Sequence, residues 1–159
     1  MKKIVVVGGG AGGLELVTRL SKKLGRKGLA EVILVDRSKT HVWKPLLHEV
    51  AAGVIDKNSD GVDYRMHAVR NKYQFQLGNM QRLDKENKCI VLDPLYDEDG
   101  HQILPERTIE YDYLVLSMGS VCNDFGTPGV ADHCYFLDSL SQAERFHKAL
   151  LNQLLRVNQ

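Results

Sequence analysis

The chain has 159 residues, about one domain, and its 43% hydrophobic and 26% charged residues are typical of a globular protein with a packed core. Its 21 basic and 20 acidic residues leave a formal net charge of +1, which excludes the basic excess of a typical nucleic-acid binder. Three cysteines without a CxxC pair favour a reduced, intracellular setting, and the lack of a signal-peptide cleavage site or an apolar run of ~18 residues predicts a soluble chain.

The first part of the chain has a strand–helix–strand pattern. Residues 4–7 are apolar and mostly β-branched, which is typical of a strand buried on both faces. Five glycines lie among residues 8–13, and the apolar spacing of residues 14–24 predicts a helix. Residues 31–36 predict a second buried strand. This β-α-β unit has the length expected for two adjacent strands of a parallel sheet.

The middle of the chain departs from this alternation. Helices are predicted over residues 46–52, directly after Pro45, and around residues 60–70. Residues 73–117 predict a small antiparallel meander, in which a turn at 97–100 separates short apolar segments. The segments of this meander are residues 73–77, 89–92 and 103–111.

The last part contains one strand and one long helix. Residues 113–117 predict another buried strand, which ends at Gly119. Residues 123–132 are the candidate linker, and residues 139–157 have a strong helical period.

The glycine-rich segment matches the dinucleotide-binding fingerprint in sequence and in context. In Gly8-x-Gly10-x-x-Gly13, the first glycine permits a tight turn, the second lets the backbone approach a pyrophosphate, and the third allows close packing of helix and strand. Asp36 ends the second strand at about the expected distance and is a candidate acceptor for ribose hydroxyls. Leu14-Glu15 stands where a P-loop needs Lys-Ser/Thr, which excludes that motif.

The loop alone leaves the choice of dinucleotide open. Asp36 would repel the 2′-phosphate of NADP, although its neighbour Arg37 keeps that alternative open. A plain NAD domain should continue with regular β-α units, whereas this chain inserts helices and a meander. That order resembles the FAD domain of the two-dinucleotide-binding flavoproteins, and Ser117-Met118-Gly119 fits the motif that closes their strand after the meander.

Three further segments indicate which family of flavoproteins the chain resembles. The chain resembles the type II NADH dehydrogenases in three segments, which occur in the order found in that family. They are Lys44-Pro45-Leu46-Leu47-His48-Glu49-Val50-Ala51, residues 111–120 and residues 123–130. These dehydrogenases are single-subunit, non-proton-pumping NADH:quinone oxidoreductases, and the resemblance covers essentially the whole chain. It implies an α/β fold, a Rossmann-like FAD/NAD(P)-binding domain with three β/β/α layers, over residues 1–159.

The resemblance also implies a set of cofactor-binding positions. The ADP half of FAD would be held by the glycine loop and Asp36, the adenine would meet the backbone of Met80, and the segment at Lys44 and Pro45 would lie near the flavin ring. On residue type alone, a solvated surface lysine is an equal alternative for Lys44. The candidate cofactor-binding residues are Gly8, Gly9, Gly10, Ala11, Gly12, Gly13, Asp36, Arg37, Lys44, Pro45, Met80, Ser117, Met118 and Gly119.

The implied reaction is hydride transfer from NADH to FAD, followed by reduction of quinone in the respiratory chain, with no catalytic acid or base in this segment. The family continues with an NADH-binding domain and membrane-binding helices, so we expect a truncated FAD domain of an enzyme peripheral on the cytoplasmic face of the bacterial inner membrane. Two alternatives stay open. The chain would be a non-catalytic nucleotide-binding fragment, held together by self-association as a homodimer, or part of another flavin reductase of the ferredoxin or disulfide type.

Other motifs predict no site. His48-Glu49 does not continue to HExxH, and residues 95–106 depart from a calcium loop because Leu95 takes the first ligand position, which favours a solvated hairpin turn. The three cysteines are expected to be small buried hydrophobic residues. A solvated helix end is the expected setting of the basic residues Lys22, Lys23, Arg26 and Lys27, with anionic lipid as the alternative.

Overall fold

The computed structural model of the chain describes residues 1–55 and 61–157, which fall into two compact units. The first unit comprises Met1–His41 and Asp63–Gly119, and the second comprises Val42–Val62 and Ser120–Gln159. Among the described residues, no helix combines the length and apolarity needed to cross a membrane.

The described strands are β1 (Lys2–Val7), β2 (Ala30–Asp36), β3 (Thr40–His41), β4 (Val62–Asp63), β5 (Gln74–Leu77), β6 (Met80–Asp84), β7 (Cys89–Leu92), β8 (Leu95–Tyr96), β9 (Gln102–Leu104), β10 (Arg107–Glu110) and β11 (Tyr113–Leu116). The described α-helices are α1 (Ala11–Lys23), α2 (Leu47–Ala52), α3 (Tyr64–Asn71), α4 (Val130–His133) and α5 (Leu140–Val157). Short 3-10 turns cover Gly25–Lys27 and Lys44–Leu46.

A parallel sheet in the order β11-β1-β2-β5 forms the centre of the first unit. The two central strands are apolar on both faces, because Val5, Val6, Leu34 and Val35 are all completely buried. The predicted strands at 4–7 and 31–36 are confirmed, each with a slightly earlier start. The strand predicted at 113–117 is present as β11, but it lies at the sheet edge and is partly exposed rather than buried.

Helix α1 begins at Ala11, three residues before the predicted start at Leu14. Glycine is a poor helix former, so the apolar period alone placed the start after the glycines. In the structure Gly12 and Gly13 form the first turn, and the Leu14 N–H donates to the Gly10 carbonyl. The helix therefore opens inside the glycine-rich loop.

The predicted meander needs correction at both ends. Residues 74–77 form β5, which pairs in parallel with β2, so this segment belongs to the central sheet. The antiparallel sheet has the order β10-β7-β6, and its strand β6 at Met80–Asp84 was not predicted. The predicted return over 103–111 is two strands, because β9 pairs with β8 in a separate hairpin.

The first unit has three layers, as expected from the resemblance. One face of the parallel sheet packs against α1 and α3, where Val6, Val17 and Tyr64 share a core cluster. The other face packs against the antiparallel sheet, where Ile90 and Leu92 are completely buried. This is the β/β/α architecture.

The second unit has its own small core, which is formed by α2 and α5 around the completely buried Ala143. The predicted helix at 139–157 is confirmed as α5. A capping box opens it, since Gln142 N–H donates to Ser139 Oγ at 3.3 Å and Ser139 N–H donates to Gln142 Oε1 at 3.1 Å. The helices predicted at 46–52 and 60–70 appear as α2 and α3; Asp60 lies outside the described residues. The candidate linker at 123–132 runs into the short helix α4.

Candidate functional site

The first glycine of the motif makes the sharp turn between β1 and the helix. Gly8 has a φ of +99°, and its N–H donates to the Val35 carbonyl at 2.8 Å. A Cβ at Gly8 would lie 2.5 Å from the Ser117 carbonyl oxygen. Both the positive φ and the close approach require glycine at this position.

The third glycine lets α1 approach the end of β1 closely. A Cβ at Gly13 would overlap the Gly8 carbonyl and lie 2.6 Å from Ser117 Oγ. Ser117 Oγ donates to the Gly8 carbonyl at 2.8 Å and lies 3.1 Å from the Val7 carbonyl. The serine at the end of β11 therefore supports the loop from the neighbouring strand.

The second glycine faces open space. A Cβ at Gly10 or at Gly12 would meet no atom within 4 Å in the described chain. No described side chain caps α1 at Gly10, and no acidic residue lies in its first turn. Because the first N–H groups of a helix have no intrahelical acceptor, they are available to an anion at this open end, which is also the positive end of the helix dipole.

Asp36 lies beside this loop at the end of β2. Its Oδ2 accepts the Gly9 N–H at 2.6 Å, and its Oδ1 accepts the Ser38 N–H at 2.7 Å. Each carboxylate oxygen keeps a second lone pair, so the side chain can still accept a hydroxyl. The neighbouring Arg37 is exposed.

Tyr64 and His41 complete the surroundings of the loop, and the sequence reasoning missed both. The Tyr64 hydroxyl donates to the Gly9 carbonyl at 2.6 Å and lies 3.5 Å from His41 Nδ1. A Cβ at Gly9 would lie 2.5 Å from the Tyr64 ring. Tyr64 is 55 residues away from Gly9 in the chain, and no local sequence signal connects the two.

Burial is the largest cause of the shifted pKa values of Tyr64 and His41. It raises the pKa of the Tyr64 phenol well above its ordinary value, and the nearby Asp36 charge acts in the same direction. It also lowers the pKa of the half-buried His41, an effect that Asp36 and the Gly9 carbonyl partly oppose. Tyr64 is therefore a neutral hydrogen-bond donor across the physiological pH range.

The remaining candidate residues of the first unit lie on the segments that leave this edge of the sheet. Met118 follows Ser117, and its Cα would lie 2.9 Å from a Cβ at Gly8, while Gly119 has a φ of +72°. The Gly78 N–H donates to the Asp36 carbonyl at 2.9 Å, and Met80 begins β6 two residues later. The structure thus brings the glycine loop, Asp36, Ser117 and Met118 together.

Lys44 and Pro45 belong to the second unit. Lys44 Nζ donates to the Ser120 carbonyl at 2.6 Å and to Asp138 Oδ1 at 2.8 Å, so this lysine is bonded although its side chain is half exposed. Asp138 Oδ2 also accepts the Cys122 N–H at 2.6 Å. The hydrogen bond from Lys44 and then the one from Cys122 lower the pKa of Asp138 to about 2. Pro45 is exposed within the 3-10 turn.

The expectation that all three cysteines are buried is wrong for two of them. Cys89 is buried, whereas Cys122 and Cys134 are exposed, and all three are free thiols. The solvated hairpin turn at 97–100 is confirmed, because the exposed Asp97 accepts the N–H groups of Asp99 and His101.

The sequence of the chain matches one protein family and is similar to proteins of known name. A family model described as pyridine nucleotide-disulphide oxidoreductase matches residues 2–157. The chain is 50% identical over 159 residues to a type II NADH:quinone oxidoreductase of Haemophilus influenzae, covering 100% of this chain and 36% of that protein. A Staphylococcus aureus protein of the same name is 27% identical over 150 residues, covering 92% of this chain and 33% of that one. The chain thus spans about a third of the length of these relatives.

A solved structure gives a matching fold. NDH2 from Plasmodium falciparum, in complex with NADH, superposes with a TM-score of 0.80 at 22% identity, over 99% of this chain and 30% of that one. At this identity the likeness bears on the fold alone, and it confirms the expected fold class.

Proposed function

The chain belongs to the pyridine nucleotide-disulphide oxidoreductase family, and we propose that it is the FAD-binding part of a type II NADH:quinone oxidoreductase. The observation that carries the proposal is the 50% identity over all 159 residues to the Haemophilus influenzae relative. Since the chain covers 36% of that relative, the complete reaction is proposed for a protein that contains this chain as its FAD domain.

The donor set of the first unit fits the ADP half of FAD. The free N–H groups at the start of α1 suit the pyrophosphate, and the open space at Gly10 and Gly12 admits it. Asp36 is proposed to accept a ribose hydroxyl with its remaining lone pairs, and the Met80 backbone to meet the adenine. In the second unit, Lys44 and Pro45 are proposed as neighbours of the flavin ring.

When bound, FAD supplies the redox chemistry, accepting a hydride from NADH and delivering electrons to quinone. The residues of this chain bind FAD and orient it. Neutral N–H donors and one carboxylate hold the ADP half of FAD, and none of these groups transfers a proton. Cys89, Cys122 and Cys134 lack the close sequence spacing of a redox-active pair, which supports this reading over a disulfide reductase.

We further propose that the parent enzyme is a peripheral protein at the cytoplasmic face of a bacterial inner membrane, in line with the names of its relatives, which act on quinone. We also propose that the chain self-associates as a homodimer. The support is a row of exposed apolar residues along α5, namely Leu150, Leu151, Leu154, Leu155 and Val157.

The test of FAD binding uses the purified 159-residue chain and its Gly10→Ala variant. Gly10 has a φ of −59° and open surroundings, so alanine fits the folded backbone. Its methyl group would occupy the approach of the pyrophosphate. We expect the wild-type chain to quench FAD fluorescence in a saturable manner, and the variant to bind FAD at least about tenfold more weakly.

Urea denaturation of both proteins without FAD is the control, and the two midpoints should agree closely. A wild-type chain that fails to bind FAD would contradict the proposal. Equal FAD affinity in the two proteins would contradict the position of the pyrophosphate at this loop.

A further inference from the structure

The backbone from Val7 to Gly9 is hydrogen-bonded to side chains of three different elements. Ser117 at the end of β11 binds the Gly8 carbonyl, Asp36 at the end of β2 binds the Gly9 N–H, and Tyr64 at the start of α3 binds the Gly9 carbonyl. Of these, the Tyr64 bond is the one that holds the peptide group between Gly9 and Gly10.

This peptide group is planar and trans, because the described chain has no cis peptide bond. In a trans peptide the C=O and N–H groups point in opposite directions. When Tyr64 draws the Gly9 carbonyl toward the buried end of α3, the Gly10 N–H points away from it. The surroundings of Gly10 are open, since a Cβ added there would have no described atom within 4 Å.

We propose that Tyr64 is a positioning residue for FAD, whose hydroxyl turns the Gly10 N–H toward the pyrophosphate. The inference rests on the proposed function of the loop and adds a residue outside the glycine motif to its binding site. Tyr64 is 2% exposed, so it acts through the loop without touching the cofactor. Glycine is also required at position 9, because a Cβ there would lie 2.5 Å from the Tyr64 hydroxyl oxygen.

Glycine peptides need such a restraint more than others do. Glycine reaches a wide range of backbone conformations, and a ligand that binds a flexible loop must overcome the entropy of ordering it. A loop that is already held in its bound geometry binds more tightly, because that cost has been met on folding. The 2.6 Å bond between Tyr64 and Gly9 supplies this order at the peptide next to the open site.

The experiment compares FAD binding by the wild-type chain, Tyr64→Phe and Tyr73→Phe. Tyr73 is the matched control: it lies in the same core cluster, is 7% exposed, and its hydroxyl bonds His67 Nδ1 at 2.9 Å, away from the loop. Both variants remove one buried hydroxyl, so both should lose stability. We expect Tyr64→Phe to raise the Kd for FAD about tenfold and Tyr73→Phe to leave it within about twofold.

The outcomes separate the inference from the proposed function. If the wild-type chain does not bind FAD, the proposed function is wrong and the inference falls with it. If the wild-type chain and Tyr64→Phe bind FAD equally, or if both variants weaken binding alike, the inference alone is wrong.

A second measurement needs no variant, and it can overturn the inference even if Tyr64→Phe does not fold. In the wild-type chain labelled with ¹⁵N-glycine, hydrogen exchange of each glycine amide is followed by NMR with and without FAD. Exchange of the Gly10 amide should slow on addition of FAD, whereas that of the remote, exposed Gly100 should not. An unchanged Gly10 rate in the presence of bound FAD would overturn the inference.

Discussion

Gly12 and Gly13 are neighbours in the first turn of α1, yet their surroundings are opposite. Gly12 is exposed, with open space where a side chain would be, whereas Gly13 is buried against the Gly8 carbonyl and Ser117 Oγ. The sequence motif predicted the close packing at position 13. It carried no information about position 12, because glycine spacing does not report the neighbours of each residue.

Alanine at these two positions should therefore have opposite effects on stability. Gly13→Ala places a methyl group on backbone atoms and should lower the free energy of unfolding by at least about 3 kcal/mol. Gly12→Ala should leave it unchanged or raise it by about 0.5–1 kcal/mol, since alanine favours helix. Urea denaturation without ligand measures both, and a Gly13→Ala chain as stable as wild type would contradict the packing described for α1.

Asp138 should make the second unit sensitive to acid. Its pKa in the folded chain is about 2, below the usual value of 3.8, so the folded state favours the carboxylate. The resulting stabilisation is present above pH ~4 and is lost as the pH falls from 4 toward 2. Asp138→Asn should be less stable by about 1 kcal/mol at pH 7, since water around the half-exposed Lys44 weakens the ion pair, and this deficit should shrink below pH 4.

Urea denaturation at several pH values from 7 to 3 measures this deficit. The exposed Asp132 supplies the control Asp132→Asn, which should follow the wild-type chain at every pH. A constant difference between Asp138→Asn and wild type across that range would show that the ion pair with Lys44 does not stabilise the fold.

At the scale of elements, the sequence predicted the apolar strands and the periodic helices. It did not predict which strands pair with one another. Residues 74–77 alternate in polarity, which is typical of a half-covered strand in either kind of sheet. Their partner is β2, more than thirty residues earlier, and alternation says nothing about a partner. The site around the glycine loop shows the same division: the glycines and Asp36 were predicted, whereas Tyr64 and His41 join through contacts remote in sequence.

Ser21 links α1 to the end of α3. It is completely buried, and its hydroxyl donates to the Asn71 carbonyl at 2.6 Å and lies 2.7 Å from the Lys72 carbonyl. Ser21→Ala leaves these carbonyls without that donor and should cost about 1–3 kcal/mol of stability. Thr18→Ala on the same helix is the control, because the Thr18 hydroxyl bonds the Leu14 carbonyl within α1 and its loss should cost under about 0.5 kcal/mol. Equal losses in thermal denaturation would argue against the link.

At the scale of the whole molecule, the described chain consists of two units with separate cores and a long helix that is mostly exposed. Leu151 and Leu154 on α5 are 47% and 51% exposed, and each offers apolar surface to a second copy. If the chain forms the proposed homodimer through this helix, Leu151→Glu with Leu154→Glu should convert it to a monomer.

Analytical ultracentrifugation over a range of concentrations measures this change. Arg156→Glu is the control for added negative charge, because Arg156 is exposed on the other side of the same helix, and it should leave association unchanged. A wild-type chain that remains monomeric at every concentration would contradict the proposed homodimer.

The three side chains that support the glycine loop lie increasingly far along the chain from it, so they are synthesised one after another. Asp36 follows its partner Gly9 by 27 residues, Tyr64 follows it by 55, and Ser117 follows Gly8 by 109. The segment that binds the nucleotide is made at the start of the chain but is completed only when β11 pairs beside β1. Such distant pairings make folding slow. During synthesis, therefore, FAD should find its site only after residue 117 has left the exit tunnel, and it cannot act as a template for the early steps.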